Sequence, residues 1–200
     1  MDQIKYKVIP NMLNSEELKL IQDYCKTRHI NNKTLEHMDI QQNNCGDSCF
    51  YKDPIMQSIS NTKREMVEEA FNTKLSSTHT FWRCYTYGSE LLKHKDRPSC
   101  EYSVTLFIGS DGKDWPIFMD GKPLYLNAGD AVVYRGCDLE HWREPYEGDY
   151  HMQVFLHYVD PEGPYKAFAG DNREKGVKSL TPEHIEKLRK NIKEDEFLNI

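Results

Sequence analysis

The sequence contains no long apolar run. None of its 200 residues lies in a stretch approaching the roughly 18 consecutive apolar residues that a membrane-spanning helix needs. Met1 is followed by the polar segment Asp2-Gln-Ile-Lys, where an export signal would have an apolar core. We therefore expect a soluble, cytoplasmic protein without a membrane partner.

Positive charge is also in short supply. The chain has 26 Lys and Arg residues against 32 Asp and Glu residues, which gives a net charge of -6. Nucleic-acid-binding proteins usually carry a broad basic surface. We therefore do not expect nucleic acid as a partner.

The cysteines lack the spacing of a disulfide-rich domain or of a structural zinc site. Cys45 and Cys49 are four positions apart, but no second close pair follows among the six cysteines. Since no export signal is present, reduced thiols are expected. Structural zinc is disfavoured.

Short β-branched and aromatic segments, separated by turn residues, dominate the middle of the chain. They occupy 79–87, 102–108, 115–119, 123–126, 131–134 and 150–159. Closely spaced short strands of this kind are typical of a sandwich or jelly roll. The composition, 38% hydrophobic over 200 residues, is enough for one core.

Helices are predicted on both sides of the strands. Asn14 with Glu17 forms a capping pattern before one helix, and Asp53-Pro54 and Thr181-Pro182 begin two others. The polar, turn-rich segment 31–51 between the first two helices is predicted to be a mobile loop.

The pattern His94-Lys95-Asp96, followed 45 positions later by His141, is the candidate metal site. Two imidazoles and one carboxylate are the ligand set that holds Fe(II) on one face and leaves the other face open. On an extended strand, residues i and i+2 project from the same face. H-x-D alone recurs by chance, so a jelly-roll binding module without metal remains the alternative.

These pieces together resemble a known family. Its motifs are Tyr85-x-Tyr-Gly88, His94-x-Asp96, the segments 128–134 and 141–145, and the closing segment 153–158. Their order resembles the Fe(II)- and 2-oxoglutarate-dependent dioxygenases, and within them the prolyl 4-hydroxylase-like branch. The resemblance implies a mainly β protein with flanking helices around a double-stranded β-helix, a cupin-like jelly roll. It also implies that His94, Asp96 and His141 bind iron.

Further expectations follow from the resemblance. The whole chain, 1–200, would be one dioxygenase domain, with N-terminal helices at 1–78, the core at 79–160 and a helical tail at 161–200. Fe(II) would be the cofactor, 2-oxoglutarate and dioxygen the co-substrates, and ascorbate a further cofactor. The 31–51 loop would close over the substrate. A monomer or weak homodimer is expected.

The anchor for the distal carboxylate of 2-oxoglutarate departs from the family pattern. The family has an arginine or lysine at the start of the last core strand, where this chain has His151. Arg143, two residues after His141, would share the ligand's face on a strand and is the preferred anchor. Tyr85 and His151 are predicted as additional partners, and Arg83 as the runner-up. A surface ion pair is the alternative role for Arg143.

The resemblance implies hydroxylation of a C–H bond with release of succinate and CO2. Three substrate classes compete: a prolyl or other residue of a peptide or protein, a free amino acid or small metabolite, and an alkylated base. The last is disfavoured, because the demethylase branch has a second arginine after the distal histidine and Arg143 has no such partner. A peptidyl substrate is preferred on resemblance alone. A cupin-like small-molecule binding module is the non-enzyme alternative.

Overall fold

The computed structural model describes residues 5–31 and 47–170. In chain order the elements are β1 (Tyr6–Ile9), α1 (Ser15–Ile30), β2 (Ser48–Tyr51), α2 (Pro54–Phe71), β3 (Ser76–Tyr85), β4 (Leu91–His94), β5 (Tyr102–Ser110), β6 (Ile117–Met119), β7 (Lys122–Leu124), β8 (Ala131–Arg135), β9 (His141–Arg143) and β10 (His151–Val159). Two 3-10 turns lie at Pro98–Cys100 and Lys166–Phe168.

The strands form two antiparallel sheets. The major sheet has six strands in the order β1-β8-β5-β10-β3-β2, and the minor sheet has four in the order β4-β9-β6-β7. The two sheets pack together where Ile117 and Met119 of β6 meet Val132 and Tyr134 of β8. The predicted jelly-roll architecture of a mainly β protein is confirmed.

The central strands of the major sheet have two different buried faces. In β5, Val104 and Leu106 belong to the apolar core that also contains residues of both helices, such as Ile21 and Val67. Because side chains alternate along a strand, the intervening residues face the opposite way, towards the minor sheet. The polar face so placed carries buried Ser103 from β5, together with Arg83, His151, Gln153 and His157 from the neighbouring strands.

Both helices in the described residues begin where the sequence predicts. The Asn14 side chain accepts from the Glu16 and Glu17 backbone N–H groups, and Glu17 returns a bond to the Asn14 N–H, which completes a capping box. Asp53 caps α2 by accepting from Ile55 N at 3.0 Å. Neither helix is long and apolar enough to cross a membrane.

Some elements differ from the prediction. Ser48–Tyr51, inside the predicted loop, forms strand β2 and pairs with β3, so the loop prediction is wrong there. The pairing brings Phe50 opposite Trp82, and their rings stack with centroids 4.4 Å apart, which stabilises β2 on β3. The remaining loop residues 32–46, Cys45 and the predicted helix at Thr181 lie outside the described residues.

Candidate active site

The three predicted metal ligands converge between the two sheets. Asp96 Oδ1 lies 3.5 Å from His94 Nε2 and 3.7 Å from His141 Nε2. The two imidazole rings are 4.3 Å apart between centroids. All three ligand atoms therefore lie close enough together to bind a single ion.

The local geometry differs from the predicted strand pair. β4 ends at His94, which pairs with His141 across the minor sheet, and Asp96 lies in the loop that follows. The Asp96 N–H donates to Gly136 O at 2.8 Å, so this backbone bond to the loop after β8 positions the carboxylate. The expectation that His94 and Asp96 share one strand face is wrong, although the residues still meet.

Backbone carbonyls fix the orientation of both imidazoles. His94 Nδ1 lies 2.7 Å from Leu92 O, and His141 Nδ1 lies 3.1 Å from Leu139 O. Each Nδ1 must carry the proton to donate to a carbonyl, which leaves the lone pair on Nε2. Both Nε2 atoms face Asp96, as metal ligation requires.

The charges at the three residues suit a divalent cation. Burial would raise the pKa of Asp96, but hydrogen bonding to His94 and nearby charges lower it to about 2, so the carboxylate is ionised. Burial lowers the pKa of His141 and keeps its ring neutral. Burial also opposes protonation of His94, but the hydrogen bonds that the protonated ring would make to Asp96 and Leu92 O outweigh it and raise the pKa of that ring, so a bound metal would take the place of the Nε2 proton. Two imidazoles and one carboxylate match the facial ligand set for Fe(II).

Arg143 lies on the same strand as His141 and is buried. Its Nη1 donates to Trp115 O, and its Nη2 donates to Gln153 Oε1 at 3.1 Å. Among the described residues it forms no ion pair, so the surface ion pair considered as an alternative is not seen there. Burial lowers the pKa of Arg143 to about 10, which still leaves it charged at neutral pH.

Two polar atoms beside Arg143 have no hydrogen-bond partner among the described residues. They are Gln153 Nε2 and His151 Nδ1. His151 Nε2 lies 3.0 Å from Gln153 Oε1, so that one oxygen accepts from both His151 and Arg143. Buried polar groups are normally satisfied, and an unpaired buried cation is costly. A ligand carboxylate would give Arg143 an anionic partner and the Gln153 amide N–H an acceptor.

The other two predicted co-substrate residues have separate roles in the structure. Arg83 forms a buried ion pair with Asp47, with Nε to Oδ2 at 2.6 Å. Its guanidinium also lies 4.4 Å from the Tyr85 ring centroid. Tyr85 is buried and packs edge-on against Trp115, with centroids 4.9 Å apart, so it forms one wall beside Arg143 and His151.

A second cluster, formed by His79, Cys100 and His157, was not anticipated from the sequence. All three side chains are buried and lie within reach of one another. However, Arg97 Nη2 donates to His79 Nε2 at 3.1 Å, which puts a cation where a metal ligand needs its lone pair. We therefore do not interpret this cluster as a metal site. The five described cysteines, including Cys100, are free thiols.

Two further residues of the major sheet reach the predicted ligands. Ser103 Oγ lies 2.7 Å from Asp96 Oδ2, and the Tyr134 hydroxyl lies 3.3 Å from His141 Nε2. Their position follows from strand register, because Ser103 and Tyr134 are direct partners on β5 and β8. The apolar alternation of β5 was the only sequence signal that Ser103 faces the site.

No protein-family model and no curated protein matches the chain by sequence. Solved structures do match. A prolyl-4-hydroxylase from Pseudomonas putida has a TM-score of 0.60 and 15% identity, over 78% of this chain and 92% of that chain. The viral collagen prolyl hydroxylase of Paramecium Bursaria Chlorella virus-1, in a 2-oxoglutarate complex, has a TM-score of 0.60 and 12% identity, covering 80% and 97%. SnoK, a carbocyclase of nogalamycin biosynthesis described as α-ketoglutarate-dependent, has a TM-score of 0.65 and 12% identity, covering 79% and 81%.

This chain has the fold of the 2-oxoglutarate oxygenases. At such low identities the likeness establishes the double-stranded β-helix and nothing finer. The fold predicted from the resemblance is thereby confirmed, and the roles of individual residues depend on the geometry described above.

Proposed function

We propose that the protein is an Fe(II)- and 2-oxoglutarate-dependent dioxygenase that hydroxylates a C–H bond and releases succinate and CO2. One observation carries the proposal: His94, Asp96 and His141 converge near Arg143, a buried cation without an acidic partner among the described residues. A metal ligand set and an anion-binding group in one interior are what this co-substrate needs. The shared fold supports the same conclusion.

His94, Asp96 and His141 would hold the iron, because their ligand atoms match its preferred donor set. Bound Fe(II), with 2-oxoglutarate and dioxygen, supplies the oxidising chemistry. The protein would bind and orient the substrate and co-substrate, and it would exclude water from the site. No additional acid–base residue is needed for this chemistry.

Arg143 and Gln153 would bind the distal carboxylate of 2-oxoglutarate. Arg143 offers a guanidinium and Gln153 an unpartnered amide N–H, both fully inside the protein. Tyr85 and His151 would pack around the co-substrate. Arg83 is less suited, because Asp47 already neutralises it.

We propose a residue of a peptide or protein, such as a prolyl residue, as the substrate. The two prolyl hydroxylases among the similar structures support this choice. A small metabolite is the second candidate, since SnoK acts in nogalamycin biosynthesis. A cytoplasmic location remains a prediction.

Succinate release tests the proposal. The purified protein, loaded anaerobically with Fe(II) and 2-oxoglutarate and then exposed to dioxygen, should release succinate, with faster release in the presence of a substrate. Pools of proline-containing peptides and of free amino acids and metabolites separate the two substrate classes. His141→Ala is the inactive control. Metal binding without any metal-dependent succinate release would instead indicate a binding module.

A further inference from the structure

The two carboxylate oxygens of Asp96 have different surroundings. Oδ1 faces the imidazoles, 3.5 Å from His94 Nε2 and 3.7 Å from His141 Nε2. Oδ2 points the other way, towards the major sheet, and accepts from Ser103 Oγ at 2.7 Å. Only Oδ1 is therefore placed to bind an ion shared with the histidines.

Gly136 packs against Oδ2 from another side. A Cβ built on Gly136 would overlap Asp96 Oδ2, the Cys100 carbonyl oxygen and Ser103 Oγ. The Gly136 carbonyl also accepts from the Asp96 N–H at 2.8 Å. Backbone and carboxylate of Asp96 are thus held by the same short segment, and only a residue without a side chain fits there.

Hydrogen-bond chemistry sets the direction of the Ser103 contacts. A serine hydroxyl has one proton, and that of Ser103 has two acceptors in reach, Asp96 Oδ2 at 2.7 Å and Cys100 O at 3.2 Å. Because Asp96 Oδ2 is the nearer and is charged, and an ionised carboxylate can only accept, Ser103 donates to Asp96. His157 Nδ1 lies 3.0 Å from Ser103 Oγ. Because the Ser103 proton is directed at Asp96, His157 Nδ1 must donate to the Ser103 oxygen. Ser103 and His157 are direct cross-strand partners on β5 and β10, and both are buried. The sheet therefore fixes a chain from His157 through Ser103 to Asp96.

We propose that Ser103, oriented by His157, is a positioning residue that keeps Asp96 a one-oxygen metal ligand. This inference rests on the function proposed above. A carboxylate that turned to bind the ion through both oxygens would occupy a coordination position that the co-substrate or dioxygen needs. Hydrogen bonds to the outer oxygen of a ligating carboxylate generally tune a metal site in this way.

The proposal predicts that metal affinity and co-substrate affinity separate in Ser103→Ala. The freed Oδ2 can turn to the ion, so Co(II) should bind as tightly as in the parent or more tightly. The affinity of the Co(II)-loaded protein for 2-oxoglutarate should fall, because the second carboxylate oxygen takes a coordination position that the co-substrate needs. Both are measured anaerobically, by titration of the visible absorption of Co(II). Ser103→Thr, which keeps the hydroxyl, should restore 2-oxoglutarate binding.

Two further variants control the experiment. Ser60→Ala removes an equally buried hydroxyl that bonds to Tyr158 at the helix-facing side, and it should leave both affinities unchanged. Adding Asp96→Asn to Ser103→Ala gives a side chain with a single ligating oxygen. In this double variant 2-oxoglutarate should again bind the Co(II)-loaded protein more tightly than in Ser103→Ala.

Unchanged 2-oxoglutarate affinity in Ser103→Ala overturns the positioning role, as does equal weakening in Ser60→Ala. If Ser103→Ala fails to fold, an infrared difference spectrum of the parent, with metal minus without metal, tests the proposal. One-oxygen ligation should give a wide separation between the antisymmetric and symmetric carboxylate stretching bands. A narrow separation, as in two-oxygen ligation, overturns the proposal. A parent that binds neither Co(II) nor 2-oxoglutarate would instead contradict the proposed function itself.

Discussion

Arg143 donates to the amide oxygen of Gln153, at 3.1 Å, where a buried guanidinium would ordinarily face a carboxylate. The same oxygen also accepts from His151, and the Gln153 amide nitrogen has no partner among the described residues. Within residues 5–31 and 47–170, the protein supplies donors at this point and no anion to accept from them. This imbalance leads to the first prediction.

Arg143→Gln should weaken 2-oxoglutarate binding to the Co(II)-loaded protein by roughly thirtyfold or more, since losing one partner of a buried charged pair costs about 2 to 5 kcal/mol. Isothermal titration under anaerobic conditions measures it. His151→Phe, which removes a neutral ring nitrogen, should cost less. An Arg143→Gln protein with parental affinity would exclude Arg143 as the anchor.

Arg83→Met should destabilise the fold and leave co-substrate affinity nearly unchanged. Both partners of its ion pair with Asp47 are buried, so removing Arg83 leaves an uncompensated buried carboxylate. This should lower the free energy of unfolding by about 3 to 5 kcal/mol. Urea unfolding measures this loss. Adding Asp47→Asn should recover part of it, because the uncompensated charge is gone. A large loss of 2-oxoglutarate affinity in Arg83→Met would make Arg83 the anchor after all.

Metal should stabilise the parent protein and not the ligand variants. A ligand that binds only the folded state adds about 2.7 kcal/mol at a hundredfold excess over its dissociation constant. Urea unfolding with and without Co(II) should show this gain in the parent and lose it in His94→Ala and His141→Ala. Equal stabilisation of all three proteins would mean that the ion binds elsewhere.

Acid should destabilise the metal-free protein through His157. Burial lowers the pKa of His157 from 6.5 to about 4. Above pH 6.5 the ring is neutral in the folded and the unfolded protein, so the contribution of His157 to the free energy of unfolding is fully present. As pH falls towards 4, the unfolded chain takes up a proton at His157 and the folded chain does not. The contribution of His157 to the free energy of unfolding should therefore drop by about 3 kcal/mol across this window.

His157→Asn keeps a donor for Ser103 but cannot titrate, so it tests this assignment. Unfolding in urea at several pH values, with a chelator present, should show a shallower acid dependence in the variant than in the parent. His79 and His151, whose pKa values burial also lowers, would account for the part that remains. Identical pH profiles would assign the acid sensitivity to other groups.

The parts of the fold that depend on local sequence were predictable. Asn14 with Glu17 and Asp53-Pro54 specify helix starts through bonds to nearby backbone, and the long central strands carry their own alternating pattern. Of the short strands, β6 and β7 were predicted, whereas β1 and β2 were missed, because these four-residue strands exist through their pairing with β8 and β3. Propensity has little weight over so few residues.

The site divides in the same way. His94, Asp96 and His141 could be proposed from residue types, order and spacing. The roles of Ser103 and His157 depend on the register between β5 and β10, and the orphaned amide of Gln153 on packing around Arg143. Such relationships join residues far apart in the chain, so no local pattern contains them.

Exposure of the three proposed ligands is uneven, and this has a kinetic consequence. The side chain of His94 is 35% exposed, that of Asp96 13% and that of His141 2%. We expect the ion to be bound by the buried ligands Asp96 and His141 first, and by the more exposed His94 last. His94 should then also be the first ligand to dissociate. The rate at which a chelator removes the metal is therefore set by His94, at the end of β4.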